Sequence, residues 1–154
     1  LLGGMNGLLK VFPGVPLVMT HRDVGQVLPS YCSMCASMSL GASTTYRREV
    51  QGAHWTSRFR TGLERFEAWR KTLPQGRIVD VRYEDTVADP VGTAGRVMQS
   101  IGLGFDDADR AAMEACIAAN ARENRPRHKY SAEEFGLTRA GIAADFAFYH
   151  DRYL

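Results

Sequence analysis

The chain is poor in the residues that build covalent or metal-tied scaffolds. It holds three cysteines in 154 residues, an odd number without the regular spacing of a disulfide framework, which fits a reducing compartment. Cys32-Ser-Met-Cys35 lies well inside a predicted helix, away from an N-terminus that would stabilise a thiolate. Cys116 has no CxxC or histidine partner to complete a tetrahedral site, so buried or partly buried free thiols are the expectation. Charge of one sign is scarce too: 19 Lys and Arg against 17 Asp and Glu leave +2, too little to argue for nucleic acid or a membrane surface. No apolar run could span a bilayer, and the visible start lacks signal-peptide architecture. No internal repeat, low-complexity segment or linker interrupts the chain, and no Gly-x4-Gly-Lys-Ser/Thr loop occurs; Gly3-Gly4-Met-Asn-Gly7 has no strand before it. What remains, 45% hydrophobic and 23% charged, is the composition of one globular domain over residues 1–154.

The richest stretch is Val15-Pro-Leu-Val-Met-Thr-His-Arg-Asp-Val-Gly-Gln-Val-Leu-Pro-Ser30. Val15 to Met19 is too short for a core helix and suits a strand covered on both faces, with Arg22 at its carboxyl end, where ligands collect in open α/β sheets. Asp23 and Gln26 have capping-box spacing, so a helix starts at once and carries Ser30 two turns in, roughly 10 Å along its axis. A planar guanidinium near a hydroxyl makes a phosphate clamp. The ordinary alternatives are a solvated or ion-paired Arg22 and a Ser30 that back-bonds to a carbonyl one turn earlier.

Elsewhere the periodicity predicts helices and one further strand. Leu1, Leu2, Met5, Leu8, Leu9 and Phe12 fall at helical spacing from the first residue without an N-cap, as if the chain began inside a helix that Pro13-Gly14 ends. The helix carrying Ser30 runs to about residue 40, and residues 41–45 form a break. Val50, Trp55, Phe59, Leu63, Phe66 and Trp69 stripe a long helix whose other face, with Arg47, Arg48, Arg58, Arg60, Arg65, Arg70 and Lys71, reads as solvated. A strand spans Arg77 to Tyr83, with Tyr83 on the face of Val79 and Val81. Asp89 with Pro90 opens a helix that Gly102 ends, Asp106 and Asp107 open another, Ser131 and Glu134 repeat the capping-box spacing, and Ile142, Phe146, Tyr149 and Tyr153 line a last helix.

These segments, in this order, resemble the bacterial branch of the sulfotransferase family that uses 3′-phosphoadenosine 5′-phosphosulfate (PAPS) as donor, and match its C-terminal portion. The resemblance rests on Arg22 with Ser30 eight residues later, on Val79-Asp-Val-Arg-Tyr-Glu-Asp85 followed by Asp89-Pro90, and on the tail Asn120-Ala-Arg-Glu-Asn-Arg-Pro-Arg-His-Lys-Tyr-Ser-Ala-Glu-Glu-Phe-Gly136. It implies an α/β, P-loop-like three-layer fold, a parallel sheet flanked by helices. Arg22 and Ser30 would bind the donor's 3′-phosphate, Tyr83 would lie against the adenine, and Arg127, His128 and Lys129 would fold over the nucleotide. The implied reaction passes a sulfuryl group from PAPS to a hydroxyl or amine of a small-molecule or carbohydrate acceptor, without a metal, without nucleic acid and in the cytoplasm.

The family's first strand, its phosphosulfate loop, its usual catalytic histidine and its lysine near the bridging oxygen have no match here. With only two convincing strands for so many helices, the expectation is a fragment whose missing part lies upstream of Leu1 and which alone is inactive. None of His21, His54, His128 and His150 is promoted to base, and no catalytic residue is assigned. Two other classes stay open: a degenerate, non-catalytic nucleotide-binding module, and a helix-rich interaction protein presenting its Trp55 to Trp69 helix. For Tyr83 the plain role is core packing, and for Arg127, His128 and Lys129 a solvated loop. His21-Arg22-Asp23 also imitates a protein-kinase catalytic loop, but Leu28 stands where that loop needs asparagine and no Asp-Phe-Gly follows.

Overall fold

A computed structural model of the chain describes residues 4–39, 47–120 and 130–154. Its elements run α1 (Met5–Val11), β1 (Leu17–His21), α2 (Val24–Ser39), α3 (Arg48–Arg70), β2 (Ile78–Arg82), α4 (Tyr83–Ala88), α5 (Pro90–Ser100), α6 (Asp107–Ala119), a 3-10 turn (Glu133–Phe135), α7 (Arg139–Asp145) and α8 (Ala147–Tyr153). They form two compact units, one of residues 4–13, 22–39, 47–73 and 130–154, the other of residues 14–21 and 74–120. No helix among the described residues is long and apolar enough to cross a membrane.

The second unit is built on two parallel strands, Leu17 opposite Ile78 and His21 opposite Arg82. β1 starts two residues later than its apolar run suggests, because Pro16 has no amide hydrogen for the ladder. It also extends through His21, whose ring is buried and bonded to Asp80. The expectation of a strand covered on both faces holds on one side: Leu17 and Met19 are half-buried and His21 buried, whereas Thr20 is exposed and Val18 is 44% exposed.

β2 stops at Arg82, and Tyr83 opens α4 instead of ending the strand, which corrects its place beside Val79 and Val81. Glu84 and Asp85 in the first turn suit the positive end of the helix, and the Thr86 hydroxyl donates back to the Arg82 carbonyl at 3.2 Å. Asp89 caps α5 as expected, accepting from Gly92 N at 2.8 Å with Pro90 in the first turn, and Gly102 beyond the helix takes φ 78°, a conformation that suits glycine. Asp106 and Asp109 make a reciprocal box that opens α6.

The first unit has the larger core. Val24, Leu28, Cys32 and Ala36 of α2 pack with Leu63 of α3 and with Phe135, Leu137, Ile142, Phe146 and Tyr149 of the tail, while Trp55 and Phe59 close the edge. Leu28, Phe135, Ile142 and Phe146 are at most 2% exposed, and each such side chain contributes about 1.5–3 kcal/mol by leaving water. Cys32 lies in this core, and burial, then Cys35, pushes its thiol up to about 11. All three cysteines are free, but Cys116 is exposed, contrary to the expectation of burial.

The stripe expected from Leu1 can be followed only from Met5, and no residue of α1 is buried; Trp69 Nε1 donates to Asn6 Oδ1 at 2.7 Å. Residues 40–46, which hold the expected break, lie outside the described residues. On α3 the apolar stripe is as read except for Val50, which is 60% exposed. Its basic face is exposed as expected apart from half-buried Arg70, and carries surface pairs: Arg48 with Glu134, and Arg60 with Glu64 at 3.0 Å and Asp145 at 3.3 Å, while Arg70 donates to the Tyr153 hydroxyl at 3.3 Å.

Two expectations about the tail change. Ser131 does accept from Glu134 N, at 3.4 Å, but opens only the 3-10 turn, and the Glu134 carboxylate turns to Arg48 instead of closing a box. The single last helix is two: Thr138 caps α7 by accepting from Gly141 N at 3.0 Å, and the backbone leaves helical geometry at Phe146 (φ −117°, ψ 16°), where packing of a fully buried ring overrides helical continuity.

One glycine sets how closely α3 meets this tail. A Cβ on Gly52 would stand 1.9 Å from the Phe135 carbonyl oxygen, inside backbone that cannot step aside like a side chain. Gly52→Ala is therefore expected to destabilise the protein by about 2 kcal/mol or more, read as a lower denaturant midpoint at unchanged m-value. An unchanged midpoint would show that α3 and the 3-10 turn do not approach in this way.

Candidate functional site

Arg22 is the first residue after β1, and the residues around it settle how α2 begins. Four amides open a helix without intrahelical partners. Here Asp23 serves two of them, its Oδ1 accepting from Gly25 N at 2.8 Å and its carbonyl from Gln26 N at 3.0 Å, and the same carbonyl takes the first bond of the helix ladder, from Val27 N at 3.1 Å. A third, Val24 N, donates to His150 Nε2 at 3.2 Å. Three amides of this helix terminus are therefore engaged within the protein, and the cationic side chain beside them is Arg22.

Gln26 has the spacing of a capping-box residue, yet its side chain faces the other way: Gln26 Oε1 accepts from Arg22 Nη2 at 3.3 Å. Arg22, Gln26 and Ser30 follow at four-residue steps, and residues so spaced share one flank of a helix. Both Arg22 and Ser30 are half-buried, accessible to a ligand but screened from bulk water. Pro29 sits inside α2 and cannot donate to the Gly25 carbonyl one turn back.

Gly25, Gln26 and Pro29 also line a cavity of about 360 Å³ whose opposite wall includes Tyr130, Ser131 and Arg139. Tyr130 and Ser131 directly follow the expected basic residues Arg127, His128 and Lys129, which lie outside the described residues. Neither Arg22 nor Ser30 is among the described lining residues; Gln26 connects the cavity to Arg22. Tyr83, half-buried at the start of α4, belongs to the second unit. Another cavity in the first unit, about 410 Å³, lies between the end of α2 and the start of α3, lined by Cys35, Met38, Ser39, Val50, Gln51, His54 and Trp55, and contains none of the expected site residues.

In the second unit, His21 is 1% exposed and its Nε2 lies 2.8 Å from Asp80 Oδ1. Met19 pairs with Asp80, so His21 and Asp80 lie on the same face of the sheet, one step apart along it. The ring is thus a bonding partner across the two strands.

Sequence reading missed His150, which has no motif and meets α2 from 126 residues away. It also missed Arg139, at the first position of α7 and on the cavity wall. The Thr138-x-x-Gly141 cap was a usable signal for α7.

The sequence matches the family model described as "Sulfotransferase family" over residues 2–107, and the chain belongs to that family. Among solved structures it is similar to the sulfotransferase STF1 from Mycobacterium tuberculosis, with 31% identity and a TM-score of 0.80 over 96% of this chain and 37% of that one. It is also similar in fold to the sulfotransferase STF9 from Mycobacterium avium, with 23% identity and a TM-score of 0.84 over 96% of this chain and 38% of that one. The chain thus spans less than two fifths of the length of either structure. No curated protein matches its sequence. The α/β fold expected from the sequence, with its parallel sheet, is the fold found.

The helix that carries His150 is itself fastened to α3. Tyr149 is buried, the Tyr153 hydroxyl donates to Glu67, and Arg152 reaches the same carboxylate at 3.0 Å. Burial first, then the Glu67 carboxylate, pushes the Tyr153 phenol up to about 12 from an ordinary 10.0. A raised pKa in the fold means that this contact stabilises fully below pH 10 and is lost as pH climbs from 10 through about 12. Denaturant unfolding across that window is expected to show a steeper loss of stability in the wild type than in Tyr153→Phe; identical slopes would remove Tyr153 from the alkaline response.

Proposed function

We propose that the chain supplies the donor-holding part of a single sulfotransferase domain that uses PAPS. Arg22 and Ser30 bind the 3′-phosphate, Tyr83 lies against the adenine, and Arg127, His128 and Lys129 fold over the nucleotide. The observation that supports this reading is the start of α2: with three of its opening amides engaged within the protein, the cationic group beside it is the Arg22 guanidinium, which bonds Gln26 one turn before Ser30. A guanidinium can form two parallel bonds to phosphate, and a hydroxyl one turn beyond Gln26 can add a third.

The reaction is in-line attack on sulfur by an acceptor hydroxyl or amine. A new bond forms to sulfur as the bond from sulfur to the phosphate oxygen breaks, 3′-phosphoadenosine 5′-phosphate leaves, and the acceptor proton passes to a base. The rate gain comes from holding donor and acceptor in line and from cations facing the developing charge. Arg22 and Ser30 anchor the donor and stand apart from the transferred group, and no catalytic base is assigned to this chain. The acceptor is a small molecule or carbohydrate.

Calorimetric titration tests the clamp. 3′-Phosphoadenosine 5′-phosphate is expected to bind more tightly than adenosine 5′-phosphate, with Arg22→Ala costing about 2–4 kcal/mol and Ser30→Ala about 1 kcal/mol of the former's affinity. Equal affinity of the unmutated protein for the two nucleotides would sink the assignment.

A further inference from the structure

Arg22 owes its position to a bend of three residues, Arg22-Asp23-Val24, over which the chain leaves β1 and enters α2. Asp23 holds the helix side of that bend through its carboxylate and its carbonyl, but the Val24 amide depends on His150 Nε2 at 3.2 Å. Accepting from an amide requires a lone pair on Nε2, so in this contact the ring proton sits on Nδ1. The same Nε2 lies 3.4 Å from Asp23 Oδ1, which puts the ring against two of the three residues of the bend. Its own support is firm: α8 is seated by buried Tyr149 and by the bonds of Tyr153 and Arg152 to Glu67. A rigid side chain from the tail thus braces the turn that presents the guanidinium.

We infer that His150 is a positioning residue for anion binding by Arg22, a role that rests on the reading of Arg22 as the 3′-phosphate ligand. Without the brace the first turn of α2 frays, Arg22 samples more directions, and a phosphate must order it on binding. The loss falls on the 3′-phosphate alone, because the rest of a nucleotide does not touch Arg22.

The test uses the intact protein and three variants. His150→Gln keeps an acceptor oxygen near the place of Nε2, His150→Asn carries the same amide one carbon short of it, and His150→Ala removes it. Each is titrated with 3′-phosphoadenosine 5′-phosphate and with adenosine 5′-phosphate, and exchange of the Val24 amide is followed by NMR. Alanine and asparagine are expected to lower the affinity ratio of the two nucleotides about fivefold to tenfold, with adenosine 5′-phosphate affinity unchanged and Val24 exchange faster; glutamine restores both readouts. A ratio unchanged in all variants, an equal loss for both nucleotides, or asparagine behaving like glutamine overturns the inference. Should alanine fail to fold, the contrast of glutamine with asparagine decides. If the wild type itself does not discriminate between the nucleotides, the clamp reading fails and this role with it, even with Val24 protected; discrimination that survives every variant removes His150 alone.

Discussion

A helix that begins at once after a strand must satisfy four amides within one turn, and in this chain that requirement organises everything nearby. Asp23 meets two of them and His150 a third. With most of the helix terminus engaged in this way, the proposed anion site relies on side chains. Val24, Leu28, Cys32 and Ala36 of α2 are buried, while Gln26 and Ser30 on its other flank, and Arg22 just before it, remain accessible and form the proposed clamp. One helix therefore serves as core element and as scaffold for the site, and its two faces cannot be varied independently.

Much of this was legible in the sequence. The Arg22-to-Ser30 spacing gave strand, bend and helix in the right order, and the caps at Asp89 and Asp106 marked their helices because a carboxylate one residue before the first turn has little else to do. The parallel pair of strands, the long amphipathic helix and the family also follow from local patterns. Elements went astray where tertiary packing competed with a local preference. Phe146 splits a helix that periodicity joins, and Glu134 abandons a capping box for Arg48. Tyr83 left the strand for the opposite reason, since the acidic residues after it favour a helix start over continued pairing.

The site divides along the same line. Arg22 and Ser30 were visible because their spacing is carried by one continuous segment. His150 was not, since nothing in eleven atoms of side chain chemistry or in its neighbours distinguishes a histidine that braces a distant turn from one that faces water. Its partner is the amide of a valine, a group every residue but proline possesses, and so leaves no mark in a sequence. Gln26 is the intermediate case: its spacing signalled a bond near the helix start, but the partner proved to be Arg22.

The tail that closes the first core also has a consequence for biosynthesis. Phe135, Ile142, Phe146 and Tyr149 pack on helices that end at Arg70, with residues 74–120 of the second unit encoded in between. On a ribosome adding about 5–20 residues per second, α2 and α3 emerge several seconds before their covering residues exist. For that interval the faces of Leu28 and Leu63 stand open to water or to a chaperone, while the second unit, whose described helices follow β2 directly, completes itself first. The residues that seal this core are made after both helices they cover, and His150, which meets the start of α2, emerges with them.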